Sequence, residues 1–544
     1  MATLDVLRGG AIIGMVTIHT MGHVYQKDWF GTDAMGERSL LMIIFCFFLA
    51  YLGGMTGLFL MVSSIAHTVS MNKQLKRGDS LKKVVGRKLL AGFLLLIFAF
   101  AVESFLGPNG FMGSTLVWTP EKEVTFLEFA RSRLPVIYYR GYHFMTLQTI
   151  AWAIMINTVV QGILYRKDGR KKTARNVRVY VLLTLAVIAL TPLAWRFTGW
   201  VVPGYPFATY PGTERMVQYP LEGSSSFLDH IVLFFLGPLG GQTEPLFPFL
   251  FISFIGCMIG MGITSKRPAP DVATNGIKMG IVLFVLGGSW ILLMYGMGLD
   301  SFTNLVDNTF DILKLPIWLP VLFLVTGGNM IMVCLCLRLV EFRGKGEAFA
   351  RKMTFFRRFA VVSLTVFTFQ YLELLPRHII SLVPGFDVIH GRVDMLWSFF
   401  VVGAVLLTWD LTLRLWSRVH YRGSSEWLMG ALVNLITGRA RKDAKWWRLP
   451  KLEVMSRSDD VEWVDLSPKR KGGHSDSRLS FFLALSGFVF FPLSVISLRI
   501  GRESIRREGP NRYNRAAVNL SWAGLLFFMS WALAFLNIRG IVLK

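Results

Sequence analysis

Unbroken apolar runs of about 17 to 25 residues recur along almost the whole chain, and that is the length a helix needs to cross the hydrocarbon core of a bilayer. A chain built this way is expected to be an all-α, multi-pass membrane protein. Composition agrees: 53% of the 544 residues are hydrophobic and mean hydropathy is +0.49, above the range of soluble domains. The first run begins close to Met1 and lacks an A-x-A-like cleavage site, so no removable signal peptide is expected.

Ten core spans can be read: Arg8–Val24, Leu40–Ile65, Leu89–Leu106, His143–Tyr165, Val179–Phe197, Leu246–Thr264, Gly280–Gly298, Pro316–Val340, Ala360–Ile380 and Met395–Trp416. The net charge of +24 is gathered in short loops between them: 66–88, 166–178 and 338–358 carry seven Lys/Arg each. Three more follow the sixth span, Lys266, Arg267 and Lys278, whereas 198–245 holds only Arg215 and 299–315 only Lys314. This is the positive-inside pattern, not a nucleic-acid surface, and it places the N terminus in the cytoplasm and the protein in the cell membrane. The long outer loops 107–142 and 198–245 are rich in Gly, Pro, Tyr and Trp, as functional loops often are. The second contains a short apolar stretch, Phe227–Pro238, suited to a lid or a re-entrant segment.

Three regions follow from this pattern: a core over 1–416, a basic linker over 417–478 with a surface-helix candidate at Trp427–Ile436, and a terminal membrane hairpin over 479–544. The hairpin would pair Leu479–Ile500 with Ala516–Asn537, and is a candidate surface for a second copy or a partner subunit. It conflicts with the charge rule. If 417–478 is cytoplasmic, as its charge implies, and Leu479–Ile500 spans, the six arginines between Arg499 and Arg515 fall outside. The segment is re-entrant around Pro492, or a core span is miscounted, or the hairpin breaks the rule.

The first span carries the most chemistry. Asp5 and Arg8 stand three apart on one helix face and can pair. His19 follows Arg8 by eleven residues, about 16 Å along the axis and on the same face. A fixed cation at the inner mouth can hold a phosphate, and an imidazole deeper in can take a proton. Ionisable residues inside a membrane span are costly and point to function, though a histidine that only bonds a neighbouring helix is the plain alternative. His23, one turn beyond, is a weaker candidate for substrate binding.

An LDxxRG start followed by Arg–ten residues–His on the first helix resembles the transmembrane acyltransferase superfamily, which includes the acyltransferase-3 proteins and the heparan-α-glucosaminide N-acetyltransferases. Four further stretches are similar to those proteins in the same order: FMTLQTIAWAIMINTVV at Gln148, TEPLFPFLFISFIGCMIG at Glu244, SLTVFTFQYL at Gln370, and SSEWLMGALVNLITG at Glu426 and Trp427. FFLAYLGGMTGLFLMVSS resembles their second helix. The chain departs from the heparan-type relatives in carrying His19 where they carry Asn, and Thr149 where they carry Arg. The resemblance covers residues 4–437 and implies transfer of an acyl group, expected to be acetyl, from cytoplasmic acyl-CoA to a hydroxyl or amine of an extracytoplasmic glycan or lipid head group. It implies His19 as general base or transient acyl carrier, with His23 beside it. Arg8, Asp5 and Gln148 would serve acyl-CoA. No metal is expected. A transporter or a scaffold is the rival class.

Other polar residues carry plainer readings. Trp118, Tyr138, Tyr139 and Tyr142 form an aromatic belt or a sugar platform. Glu103 is expected to partner an arginine. Asp229 and His230 are adjacent and do not share a helix face. Asn329, beside two glycines, suits close helix packing. The four cysteines sit in apolar runs and read as small buried hydrophobes.

Overall fold

The computed structural model describes residues 1–25, 56–116, 124–141, 145–201, 226–240, 244–265, 271–296, 318–383, 386–389, 393–437, 466, 476–487 and 492–538. Among them the structure is all-helical, apart from an isolated bridge between Tyr25 and Val393. The chain divides into two units, residues 1–34 with 49–466, and residues 35–48 with 467–544.

In the first unit the helices are α1 (Ala2–Val24), α2 (Thr56–Lys76), α3 (Leu81–Ala101, closing in a π-turn Val102–Leu106), α4 (Phe111–Leu116), α5 (Phe126–Gly141), α6 (Thr146–Leu164), α7 (Thr173–Val201), α8 (Phe227–Leu236), α9 (Leu246–Thr264), α10 (Asp271–Gly296) and α11 (Trp318–Leu339). The unit continues with α12 (Gly346–Lys352), α13 (Thr354–Val361), α14 (Ser363–Thr368), a 3-10 turn Gln370–Glu373, α15 (Leu374–Ser381), α16 (Met395–Ser417) and α17 (Ser425–Ile436). Seven segments among the described residues are long and apolar enough to cross a membrane: Leu81–Leu116, Thr146–Leu164, Thr173–Thr198, Leu246–Thr264, Asp271–Leu293, Leu319–Arg343 and Leu396–Ser417. They coincide with the third to eighth and the tenth of the expected spans.

The other three differ for physical reasons. The first is a 23-residue helix whose Asp5, Arg8, His19 and His23 lower its hydropathy. The second expected span begins outside the described residues and ends later than Ile65, because α2 continues to Lys76. Its polar side chains are used inward: Ser64 Oγ bonds Ser253 Oγ at 2.7 Å, Gln161 Nε2 donates to Thr68 Oγ1 at 2.8 Å, and Asn72 Nδ2 donates to the Tyr165 hydroxyl at 3.1 Å. The ninth is not one helix. Val362 and Phe369 have non-helical ψ values of 39° and 36°, which divide it into α13, α14, the 3-10 turn and α15.

Helix α9 is the most enclosed of these seven segments. It packs on α2 and α7, and a side chain at Gly256 would lie 2.6 Å from the Met61 carbonyl oxygen, so the two backbones touch there. Helix α1 packs against α2, α13 and α16. Its tightest approach is at Gly9, where a Cβ would lie 1.8 Å from the Phe356 carbonyl oxygen of α13. Asn329 lies against Gly57, a side chain there standing 2.9 Å from its Nδ2, in keeping with a packing role.

Among the described residues of the second unit, expected as a two-helix hairpin, there are three helices: α18 (Asp476–Ser486), α19 (Pro492–Glu508) and α20 (Arg512–Ile538). The apolar run Leu479–Ile500 does not form one span. Gly487 packs so close to Ser494 that a Cβ would lie 2.0 Å from its Oγ, so the chain has doubled back, and Pro492 starts the new helix where its missing N–H is harmless.

Candidate functional site

The broken ninth span positions the site. A broken helix in an apolar setting must find new partners for its freed backbone groups. Here Glu426, at the start of α17, supplies them: its carboxylate accepts from Leu364 N at 2.5 Å and from Thr365 Oγ1 at 2.7 Å. The Thr365 hydroxyl oxygen in turn accepts from Ser425 N at 2.9 Å. Glu426 is therefore a structural clamp on the break, and the 3-10 turn Gln370–Glu373 can form beyond it.

That turn faces the C-terminal part of α1, and the pitch of the two elements matches. In a 3-10 helix, residues i and i+3 eclipse, and three steps rise about 6 Å. On α1, His19 and His23 are four residues apart and also rise about 6 Å. Each imidazole thus meets one partner. His19 Nδ1 donates to Gln370 Oε1 at 2.5 Å, and His23 Nδ1 donates to Glu373 Oε1 at 2.6 Å. Thr20, on the same stretch, donates its hydroxyl to Glu373 Oε2 at 2.9 Å.

Glu373 is held from the other side as well. Arg377, one turn later, donates to Glu373 Oε1 at 3.3 Å, while its remaining nitrogens donate to the carbonyls of Val388 at 3.0 Å and Ile389 at 3.3 Å. Glu373, Gln370 and Arg377 are buried, whereas His19 and His23 are exposed. Val393 N donates to Val24 O at 2.9 Å and ties the end of α1 to the same segment. Two accessible imidazoles, each fixed through Nδ1 by a buried partner, keep Nε2 as the available basic nitrogen. One partner is neutral and the other charged. An oriented imidazole of this kind can accept a proton from a hydroxyl or amine.

At the other end of α1 the expected Asp5–Arg8 pair does not form. Asp5 acts electrostatically on Arg357 of α13 instead, because Gly9 lets α13 lie directly on α1. Arg8 is half-buried and bonds to no described residue. The start of α1 is capped by Glu341, which accepts from Thr3 N at 3.0 Å, a carboxylate at the positive end of the helix dipole. Nearby, Asp410 pairs with both Arg358 and Arg414 at 2.7 Å. Arg8 and His19 keep the same face of one continuous helix, about 16 Å apart.

Gln148 is fully buried at the start of α6, where its Oε1 accepts from Met145 N at 3.1 Å. The neighbouring Thr149 hydroxyl donates to the Glu244 carbonyl, which joins the starts of α6 and α9. Burial pushes the Glu244 carboxyl up to about 7, with the Glu103 charge adding to the effect against the hydroxyls of Thr146 and Thr56. His143, Trp118 and Tyr142 lie outside the described residues, as do the side chains of Tyr138, Tyr139, Asp229 and His230.

Sequence reasoning singled out His19, His23 and Gln370 but missed Glu373 and Arg377. The available signal was an i, i+4 acid–base pair inside an apolar span. Among the described residues no group of three His, Cys, Asp or Glu could hold a metal ion, and Cys257, Cys334 and Cys336 are free thiols. No family model matches this sequence and no curated protein matches it, so the meaning of the site rests on its geometry and on the resemblance of its motifs.

Proposed function

We propose that this protein is a membrane-bound acyltransferase that passes an acyl group, acetyl in the simplest case, from cytoplasmic acyl-CoA to a hydroxyl or amine of a glycan or lipid head group on the far side. The observation that carries this reading is the paired arrangement of His19 on Gln370 and His23 on Glu373 at one end of α1, with Arg8 on the same face toward the other end. The acceptor O–H or N–H would give its proton to His19 Nε2 as its heteroatom attacks the thioester carbonyl. The C–S bond breaks, and the leaving thiolate takes the proton back from the imidazolium to leave as the free thiol. Gln370 keeps the ring in the tautomer this needs, while Glu373, steadied by Arg377 and Thr20, orients His23. Arg8 would neutralise phosphate charge on the acyl-CoA.

The test is a titration of the purified protein with acetyl-CoA, followed by transfer assays in proteoliposomes. A bound acyl donor should raise the melting temperature, by an amount equivalent to about 2.7 kcal/mol at a hundred times its Kd. Indifference to acetyl-CoA overturns the reading. Secondary transport is the second reading, favoured by the broken ninth span with ionisable residues beside the break. It predicts substrate uptake driven by an ion gradient with no acyl transfer.

A further inference from the structure

The terminal unit is a bundle whose register can be read along its length. Helices α18 and α19 run antiparallel: Asp476 N donates to the Glu508 carboxylate at 2.7 Å, Ser497 Oγ donates to Ser480 O at 2.6 Å, and Gly487 lies against Ser494. The open end of this pair holds Asp476 and Glu508; the closed end holds Gly487 and Ser494. Helix α20 runs antiparallel to α19 in equally clear register. Asn514 Nδ2 donates to Ser504 Oγ at 3.4 Å, Ser521 Oγ donates to Ser497 Oγ at 2.9 Å, and Gly524 also lies against Ser494. The closed end therefore sits level with Gly524, about 18 Å along α20 from Arg512, with about 21 Å of that helix still to run.

The chemistry of the unit is that of a lipid-embedded module. Five hydroxyls, those of Ser480, Ser494, Ser497, Ser504 and Ser521, are fully buried between its helices, beside Leu479, Leu483, Leu493 and Ile500. Its exposed side chains toward the closed end are apolar, with Leu485 48%, Val495 51%, Trp522 46% and Leu526 60% exposed. A bundle in water keeps its exposed face polar, whereas helices in lipid expose apolar side chains and associate in part through small and hydroxyl-bearing residues. Polarity also changes along the axis. The arginines from Arg499 to Arg515, with Arg478, are exposed and gather toward the open end, and Arg502 stands over the Trp522 ring at 5.7 Å.

We propose that α18 and α19 form a re-entrant hairpin that dips closed end first to about half the bilayer depth beside a spanning α20, and that its arginine-rich open end binds anionic lipid head groups on the side from which the hairpin dips. The register returns Glu508 to the side of Asp476, so Arg478 and the arginines of 499–515 share one face of the membrane and the linker no longer has to cross it.

Full-length protein in sealed vesicles, in a cysteine-free background, tests the insertion. Ser475→Cys and Gly509→Cys should react with an impermeant maleimide from the same side, and Lys544→Cys from the other. Reaction of Ser475→Cys and Gly509→Cys from opposite sides overturns the hairpin. The lipid contact is tested in nanodiscs that mix phosphatidylcholine with phosphatidylglycerol, by counting the lipids that remain bound. The wild type should retain phosphatidylglycerol above its share of the mixture. Replacing Arg506, Arg507, Arg512 and Arg515 together with Gln should cut that enrichment severalfold, while the corresponding Lys variant keeps it. A wild type without enrichment, or a Gln variant that matches it, overturns the head-group assignment.

Discussion

At the scale of single residues, the two imidazoles of α1 are held by chemically different partners, and substitutions should separate their roles. His19→Asn should leave the fold intact, because Asn can still bond Gln370, yet transfer should fall by about two to four orders of magnitude, the usual contribution of a positioned base. An active His19→Asn enzyme would move the chemistry to His23. Glu373→Gln has a structural cost as well: it strips the counter-charge from buried Arg377 and should destabilise the protein by about 3 to 5 kcal/mol. Pairing it with Arg377→Met should restore most of the stability but not the pH profile of transfer, which distinguishes orientation of His23 from support of the fold. Glu244 gives a pH test independent of catalysis. Its carboxyl is raised from 4.5 to about 7, so the folded state holds the proton more tightly than the unfolded chain does. Stability should therefore decline as pH rises from 4.5 through 7, by at most roughly 3 kcal/mol. Glu244→Gln should flatten that slope in thermal unfolding between pH 5 and pH 8; an unchanged slope would assign the pH dependence to another group.

At the scale of elements, the fit of α1 on α13 and the break in the ninth span are the features most open to test. Gly9→Leu would drive a side chain into the Phe356 carbonyl and should cost about 3 kcal/mol or more. Glu426→Ala should cost about 1 to 3 kcal/mol by leaving Leu364 N unpaired in an apolar setting, whereas Glu426→Gln, which keeps one carbonyl acceptor, should cost less. These elements also show how far the sequence could be read. The sixth span was legible to the residue, because an unbroken apolar run is bounded by Glu244–Pro245 on one side and Ser265–Lys266 on the other. The ninth was not, since the group that permits its break lies about sixty residues further on, in Glu426. The end of α2 was misplaced because Thr68 and Asn72 look like loop residues until α6 supplies their partners. For Leu479–Ile500 the sequence offered a span or a segment re-entrant around Pro492, and Pro492 is where the second helix begins; what it could not supply was the contact of Gly487 with Ser494. In the site, His19 was conspicuous as an ionisable group in a span, but its link to Gln370 crosses 351 positions and leaves no periodic trace.

At the scale of the whole molecule, orientation is the first thing to establish. Ser80→Cys and Lys345→Cys, in the basic turns after α2 and α11, should resist an impermeant reagent applied from outside intact cells, while Ser224→Cys should react. Outside labelling of Ser80→Cys would reverse the proposed direction of acyl transfer along with the expected topology.

The wiring of α1 has a further consequence, for how the chain is made. The groups that meet its polar side chains and its backbone ends, Glu341, Gln370, Glu373 and Val393, all lie more than 330 positions downstream. At about 5 to 20 residues per second a ribosome needs on the order of 20 to 70 seconds to deliver them. During that interval His19, Thr20 and His23 belong to a finished helix with none of these partners, in a setting where lipid is a poor host for them. The nascent helix must wait in a sheltered place, at the insertion machinery or against an attendant protein. Ribosome-arrested chains ending near residue 337 should keep α1 cross-linkable to that shelter, and chains extended past residue 400 should release it.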